Sequence, residues 1–510
     1  MNSSNKTEHS LLLLIISFTV TFLLFIFYRM AMFDKGVDLG IDVYYHIKAA
    51  DMFPFISTTK QFPWTEMSIW KTNFYDKELG FHAILYVLRN ILGYLGFSSG
   101  APFNFIDIIF VFIIMLTVSI GGYIYCKSSS MVIPPLFVFA SPLFLQKLFM
   151  IRPFLISIIL FMIVVFTLLW NTRLLYKCII IFFFGWIYAL CYSVPHILLI
   201  PVVCYIFAEI FMHRSRRAFL SFFLLLSAIF GICAGLLIHP QFPNTFIGWY
   251  VQGVIVIKQM FGLYSSKVVL GTGVNSPDLS TVIRNILPVI FFILFIFYFV
   301  YNKQKSVKDC FLSVLLLILT VGFYYTKRFN EYSVPLSIFC FAYSVHGFKK
   351  VIPESKLFSF IYRKKIILIS LFIFISIPFY KNYFLPKFLK VAPLYGYAKW
   401  ASGNLEPGTY VGLLYWYDFP LAFYAADQFR YPVGLDPMYG YYVYPKRTEV
   451  IENFRLGKKL VSPEQLADAL GTDIIFISNY NQGTINYLVN KGSVILYEDR
   501  QGTLLRLAPK

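Results

Sequence analysis

Residues 11–28, LLLLIISFTVTFLLFIFY, and the stretch that follows at 38–46, DLGIDVYYH, decide how the chain is read. The first is an uncharged apolar run long enough to cross a hydrocarbon core about 30 Å thick. A short polar head containing Lys6 precedes it and no small-residue cleavage site follows, so it reads as a permanent helix rather than a signal peptide. The second is acidic and aromatic. Carboxylates placed just beyond a first span suit chemistry on a substrate carried by lipid.

The texture of residues 11–28 recurs over most of the 510 residues, which are 58% hydrophobic, 20% aromatic and only 14% charged. No soluble globular domain has this composition. Further spans are expected near 104–125, 131–149, 154–170, 178–194, 196–212, 218–238, 282–301, 310–325, 331–346 and 365–380. With the first they make about eleven, or up to about thirteen if weaker segments count. Phe81–Phe97 is such a segment: apolar but interrupted by Arg89, it reads as an interfacial helix or as an extra span whose arginine needs a partner.

A formal charge of +19 would point to nucleic acid in a soluble protein. Here the cations cluster in alternate connections: Lys127, Arg173 with Lys177, Arg214 with Arg216 and Arg217, Lys303 with Lys305 and Lys308, and Lys349 through Lys365. That is the positive-inside pattern, with no nucleic acid among the partners. It puts the N-terminus in the cytoplasm and residues 29–80, 239–281 and the C-terminal tail on the exoplasmic side. All seven cysteines lie within or beside apolar segments and read as small core residues without disulfides. Their absence from the exoplasmic regions favours a bacterial plasma membrane.

The fold class expected is therefore a polytopic α-helical membrane bundle, residues 1–381, with an exoplasmic α/β domain at 382–510. In the tail, strand-like 409–414, 473–477 and 493–497 alternate with helical stretches at 446–456, 463–470 and 484–491. Ser462-Pro463-Glu464-Gln465 has the chemistry of a helix start. About 130 residues suffice for a core of their own.

Asp34, Asp38, Asp42 and His46 recur every four residues, but Gly36 and Gly40 make the first half loop, leaving Asp42 and His46 as the expected helical pair. A carboxylate with an imidazole can hold a hard ion such as Mg²⁺ or Mn²⁺, or act as general base toward an acceptor hydroxyl or amide. Asp42 and Asp38 are the candidate catalytic acids; Asp42 and His46 are the candidate metal ligands. A hydrated loop whose acids keep it out of the bilayer is the plain alternative.

Asp42-Val43-Tyr44, followed by Lys48-Ala49-Ala50-Asp51-Met52, resembles the first exoplasmic loop of oligosaccharyltransferase catalytic subunits, members of the GT-C superfamily of membrane glycosyltransferases. Trp416-Tyr417-Asp418-Phe419-Pro420 is similar to the family's Trp-Trp-Asp-Tyr-Gly motif, with Pro420 in place of the glycine. The acidic pair expected in the second exoplasmic loop is missing around Ser141 to Arg152. The layout, one span, a long loop, many spans and an exoplasmic α/β tail, also resembles bacterial proteins related to protein O-mannosyltransferases. The resemblance implies an inverting transfer of sugar from a polyprenyl-phosphate carrier to an exoplasmic protein, lipid or glycan. It gives Asp42 a role in a metal and acceptor site, and makes Tyr44, Trp416 and Asp418 acceptor-binding.

A lipid-phosphate donor needs cations at the exoplasmic face, and Arg152, Lys327 and Arg328 fall at predicted exoplasmic span ends. Arg328 also resembles an arginine late in the oligosaccharyltransferase bundle; snorkelling, or an Arg328–Glu331 pair, is the plain alternative. Asp436 lies beside the tyrosine-rich run 439–444, a composition suited to sugar rings and equally to packing. Three other functions fit the class: a transporter or flippase for lipid-linked glycans, a polysaccharide polymerase or ligase, and a non-catalytic homologue that binds glycan.

Overall fold

Apolar runs with polar caps set the helices. Ser306 closes a capping box with Asp309 at the head of Val307–Tyr325. Among the described residues, six helices of at least 18 residues are apolar enough to cross a membrane: Glu8–Met30, Ile106–Phe139, Leu174–Cys191, Pro195–Met212, Phe219–Ile238 and Val307–Tyr325. Phe154–Leu169 and Ile286–Tyr301 are shorter apolar helices; at 1.5 Å per residue each extends about 24 Å. The computed structural model describes residues 3–32, 38–96, 103–213, 216–260, 262–264, 266, 268–269, 275–351 and 390–508. The expected span 365–380 and Asp34 lie outside the described residues.

The chain forms two units. The first comprises Met1–Leu39, Phe97–Gly235 and Gly273–Leu389. At its centre is Asn330–Val351, a helix packed against those at Phe103–Cys126, Phe154–Leu169, Ile286–Tyr301 and Val307–Tyr325. The expected span 131–149 is not one helix. It is Ile133–Phe139 and Pro142–Leu148, with a break at Ser141. Pro142 cannot donate to a preceding turn, and the Ser141 side chain instead accepts from the Phe144 amide as an N-cap. The break is stitched to its surroundings: Ser141 Oγ donates to Asn285 Oδ1 at 2.5 Å, and Asn330 Nδ2 donates to Ser141 Oγ at 3.4 Å. The cysteines are free, as their apolar surroundings predict.

The second unit comprises Gly40–Gly96, Leu236–Thr272 and Lys390–Lys510. Its sheet has strands β1 (Gly412–Leu413), β2 (Ile474–Ser478), β3 (Val494–Glu498) and β4 (Gly502–Arg506) in the order β1-β2-β4-β3. β1 runs parallel to β2, while β4 is antiparallel to both β2 and β3. Helices Pro445–Arg455, Pro463–Leu470 and Gln482–Asn490 stand where the sequence places them, and Ser462 caps the second in a box with Gln465. The core is aromatic: Tyr45 stacks on Trp70 with ring centres 5.8 Å apart, Phe62 on Phe74 at 4.8 Å, and Phe419 on Phe423 at 5.3 Å. Phe81–Phe97 contributes the helix Leu79–Tyr94, which buries Phe81, His82 and Leu85 and pairs Arg89 with Asp51.

Candidate functional sites

In the second unit, Asp42 begins the helix Asp42–Asp51, where the positive end of the helix dipole favours a carboxylate. One turn later His46 points inward and is only 4% exposed. Its Nδ1 lies 2.9 Å from His82 Nε2, and His82 Nδ1 lies 2.7 Å from Asp76 Oδ2. Asp76 and His82 are 0% exposed and Glu78 is 4% exposed. With Asp76 Oδ2 as the acceptor, His82 donates from Nδ1 and turns the lone pair of Nε2 toward His46. Burial holds the His46 imidazole well below its ordinary pKa, with His82 and then Lys77 adding to the effect. Burial also raises the Glu78 carboxyl, against the pull of Lys77.

The second loop clasps this turn. His239 Nε2 donates to the Asp76 carbonyl at 3.0 Å, its Nδ1 accepts from the Gln241 amide at 3.1 Å, and Gln241 Oε1 accepts from the Asp76 amide at 2.5 Å. His239, which reads from sequence as a plain polar helix end, is a positioning residue for Asp76.

Among the described residues, His46, Glu78 and His82 bring metal-competent atoms within 4.8 Å of one another. Asp42 is not a member of that group, and two imidazoles with one carboxylate do not fit the Mg²⁺ expected at Asp42 and His46, since Mg²⁺ prefers an all-oxygen shell. The sequence reading missed Asp76, Glu78 and His82. The visible signal was the Glu78–His82 spacing of four at the head of a helix.

In the first unit, Arg152 lies just before Phe154–Leu169, and Lys327 and Arg328 occupy the turn Lys327–Phe329. Lys147, which the sequence reading did not single out, donates to Glu331 Oε1 at 2.7 Å and to the Lys327 carbonyl at 3.0 Å. Glu331 thus pairs with Lys147. Burial and then Arg328 lower the Arg152 guanidinium to about 10, opposed by Glu331, so it stays charged at neutral pH. Four cations acting on one another around a single carboxylate leave a positive excess suited to an anion.

The remaining candidates sit within the second unit. Trp416 and Asp418 form a short turn, and the buried Asp418 carboxylate accepts from Ser478 Oγ. Trp416 lines a small cavity with Leu413, Val433, Thr448 and Glu452, and neither Trp416 Nε1 nor Thr448 Oγ1 has a hydrogen-bond partner among the described residues. Asp436 caps Pro437–Val443 by accepting from the Met438 amide at 2.9 Å. Tyr44 is buried against Tyr424 with ring centres 5.3 Å apart. The tyrosine run divides: Tyr439 is core, bonded to the Tyr75 hydroxyl at 3.2 Å, while Tyr442 and Tyr444 are exposed. Of Asp38, only the backbone is described, as extended.

Compared by sequence, the chain matches no protein-family model and no curated protein. Compared by structure, it is similar to the archaeal oligosaccharyltransferase AglB from Archaeoglobus fulgidus, in complex with an inhibitory peptide and a dolichol-phosphate. That match has a TM-score of 0.62 and 12% identity over 93% of this chain and 70% of that one. The chain has the GT-C fold. Two further GT-C structures agree. ArnT from Cupriavidus metallidurans, bound to undecaprenyl phosphate, matches with a TM-score of 0.54 and 12% identity over 96% of this chain and 99% of that one. The arabinofuranosyltransferase AftD from Mycobacteria matches at 0.55 with 13% identity, over 98% of this chain and 40% of that one. Together with the apolar helices, this GT-C architecture makes the chain an integral membrane protein.

Proposed function

We propose that this GT-C protein is a glycosyltransferase that moves a sugar from a polyprenyl-phosphate carrier to an exoplasmic protein, lipid or glycan. The supporting observation is the likeness to AglB and ArnT over almost the whole chain, because those structures hold dolichol-phosphate and undecaprenyl phosphate. The cation cluster of Lys147, Arg152, Lys327 and Arg328 is the chemical counterpart of such a ligand.

The reaction has two tasks. The acceptor's O–H or N–H gives its proton to a carboxylate, for which Asp42 is the candidate with Asp38 beside it in sequence, as its lone pair attacks the anomeric carbon. The bond from that carbon to the phosphate oxygen breaks with its electrons going to oxygen, so the departing lipid phosphate gains one negative charge. Arg152, Lys327 and Arg328 stabilise that charge as it develops. In the tail, Trp416 is the acceptor-contacting candidate, lining a cavity together with Glu452, and Asp418, Asp436 and Tyr44 are the further acceptor-binding candidates. A Mg²⁺ or Mn²⁺ ion at Asp42 would draw on carboxylate and phosphate oxygens rather than on His46. The orientation follows the charge pattern: N-terminus cytoplasmic, tail exoplasmic, in a bacterial plasma membrane.

The test is release of sugar from radiolabelled polyprenyl-phosphate donors by the full chain in lipid. Turnover that falls at least about a hundredfold in Asp42→Asn is the expected result for a general base. Full turnover in a folded Asp42→Asn protein removes Asp42 from the mechanism, and no turnover with any donor favours a flippase or a glycan-binding homologue.

A further inference from the structure

The cluster of His46, Glu78 and His82 has the donors, the burial and the supporting shell of a transition-metal site. Its three ligand atoms lie within 4.8 Å of one another. Two imidazole nitrogens face each other at 2.9 Å. Around a tetrahedral ion with Zn–N bonds of 2.0–2.1 Å the same two atoms stand about 3.3 Å apart, so a small opening of the pair admits the ion. Glu78 Oε1 lies 3.6 Å from Lys77 Nζ, whereas Oε2 is buried without a hydrogen-bond partner among the described residues. A buried carboxylate oxygen with nothing to accept from is costly, and a cation offsets that cost.

The surroundings are those of a built site. Asp76 on His82 Nδ1 is the carboxylate–histidine arrangement that orients a metal-binding imidazole and fixes its tautomer. Asp76 is itself held at its amide by Gln241 and at its carbonyl by His239. The geometry points to a buried ion of the zinc class bound by His46 Nδ1, His82 Nε2 and Glu78 Oε2, with Asp76 behind it. Such a donor set suits zinc, which takes nitrogen and carboxylate oxygen together, and not magnesium. All three ligands are buried, and three protein ligands leave a fourth position that Glu78 Oε1 or a water would fill. The ion would fasten Asp42–Asp51 to Leu79–Tyr94 and so fix the helix whose first residue is Asp42. In the absence of metal the same atoms can share a proton between the imidazoles, and the two states are separable by experiment.

The experiment uses the full chain in detergent or nanodiscs, stripped with chelator and then dialysed against Zn²⁺ or Co²⁺ alone. The expected result is about one equivalent of tightly held metal and, with Co²⁺, the intense visible absorption of a four-coordinate site. Glu78→Gln keeps the shape and removes the anionic ligand, so metal affinity drops sharply while the protein still elutes as a folded species. Asp76→Asn lowers affinity by about 10–100-fold by loosening His82. Wild-type protein that holds no metal overturns the inference, as does equal binding by wild type and Glu78→Gln, which would put the ion elsewhere. Because the readout is metal content and a spectrum, this outcome is independent of whether any sugar is transferred.

Discussion

At the residue scale, several of the informative groups are polar atoms in places where water cannot reach, and their partners are distant in sequence. His46 meets His82 across 36 residues and Lys147 meets Glu331 across 184. This is why His46 was legible, through its spacing from Asp42, while Asp76, His82 and Lys147 were not. A lone lysine in an apolar stretch was the available hint, since buried charge is rarely kept without a partner. His239 gives a sharp test at this scale. Its ring must be neutral, because Nδ1 accepts from the Gln241 amide while Nε2 donates to Asp76. Burial lowers its pKa, against the weaker pull of Asp76. A depressed folded-state value means the unfolded chain binds the extra proton first, so stability is full above about 6.5 and falls as pH drops below it. We expect the unfolding midpoint of the wild type to decline between pH 7 and 5 more steeply than that of His239→Gln, by up to about 1.4 kcal/mol per pH unit. Parallel pH profiles for the two proteins would remove His239 as the titrating group.

At the element scale, the helices of the tail were legible because caps are local chemistry: Ser462, Pro463 and Gln465 specify a start, and Gly471 in the left-handed region at φ 82° specifies the end. β4 was not. Its Leu504 and Leu505 are buried through pairing with β2 and β3, and five residues of Gly502–Arg506 carry too little pattern to show it alone. The 131–149 run misled for the opposite reason: hydropathy cannot distinguish one helix from two when Ser141-Pro142 interrupts it. Where two membrane helices cross, glycine decides the distance. A Cβ on Gly231 would lie 2.2 Å from the Phe182 carbonyl oxygen, and one on Gly235 would lie 2.7 Å from that of Trp186. Leu174–Cys191 and Arg216–Ile238 are therefore in backbone contact, a close packing that small residues permit. Gly231→Leu should cost about 1–3 kcal/mol as the helices are forced apart, seen as a lower melting temperature in detergent. Gly93→Ala, with nothing within 4 Å of the new Cβ, should leave the melting temperature unchanged or raise it. Equal effects of the two would mean that the crossing tolerates separation.

At the scale of the whole molecule, the two units carry different chemistry, and the proposed reaction makes that division measurable. The first unit carries the cations Lys147, Arg152, Lys327 and Arg328 with one carboxylate between them; the second carries the cavity at Trp416 and the helix headed by Asp42. The apolar helical bundle was legible from hydropathy, because a bilayer forces long apolar helices, whereas its GT-C character was legible only through the resemblance at Asp42-Val43-Tyr44 and Trp416-Tyr417-Asp418 and the order of spans and loops. The roles proposed for each unit rest on motif resemblance, as at Trp416-Tyr417-Asp418, because single side chains leave no trace in hydropathy. If the cations hold the donor phosphate, Arg152→Gln and Arg328→Gln should each raise KM for the lipid donor. They should also lower kcat by about 10-fold or more, since charge on the leaving oxygen grows toward the transition state. Trp416→Ala touches none of these groups. It should leave donor binding intact and raise KM for the acceptor alone, with slow hydrolysis of the donor by water persisting at the wild-type rate. Measuring both substrates' kinetics in the three variants separates the roles: an Arg328→Gln protein with altered acceptor KM and normal donor KM would reverse the assignment, and a Trp416→Ala protein defective in donor hydrolysis would place that residue with the leaving group instead.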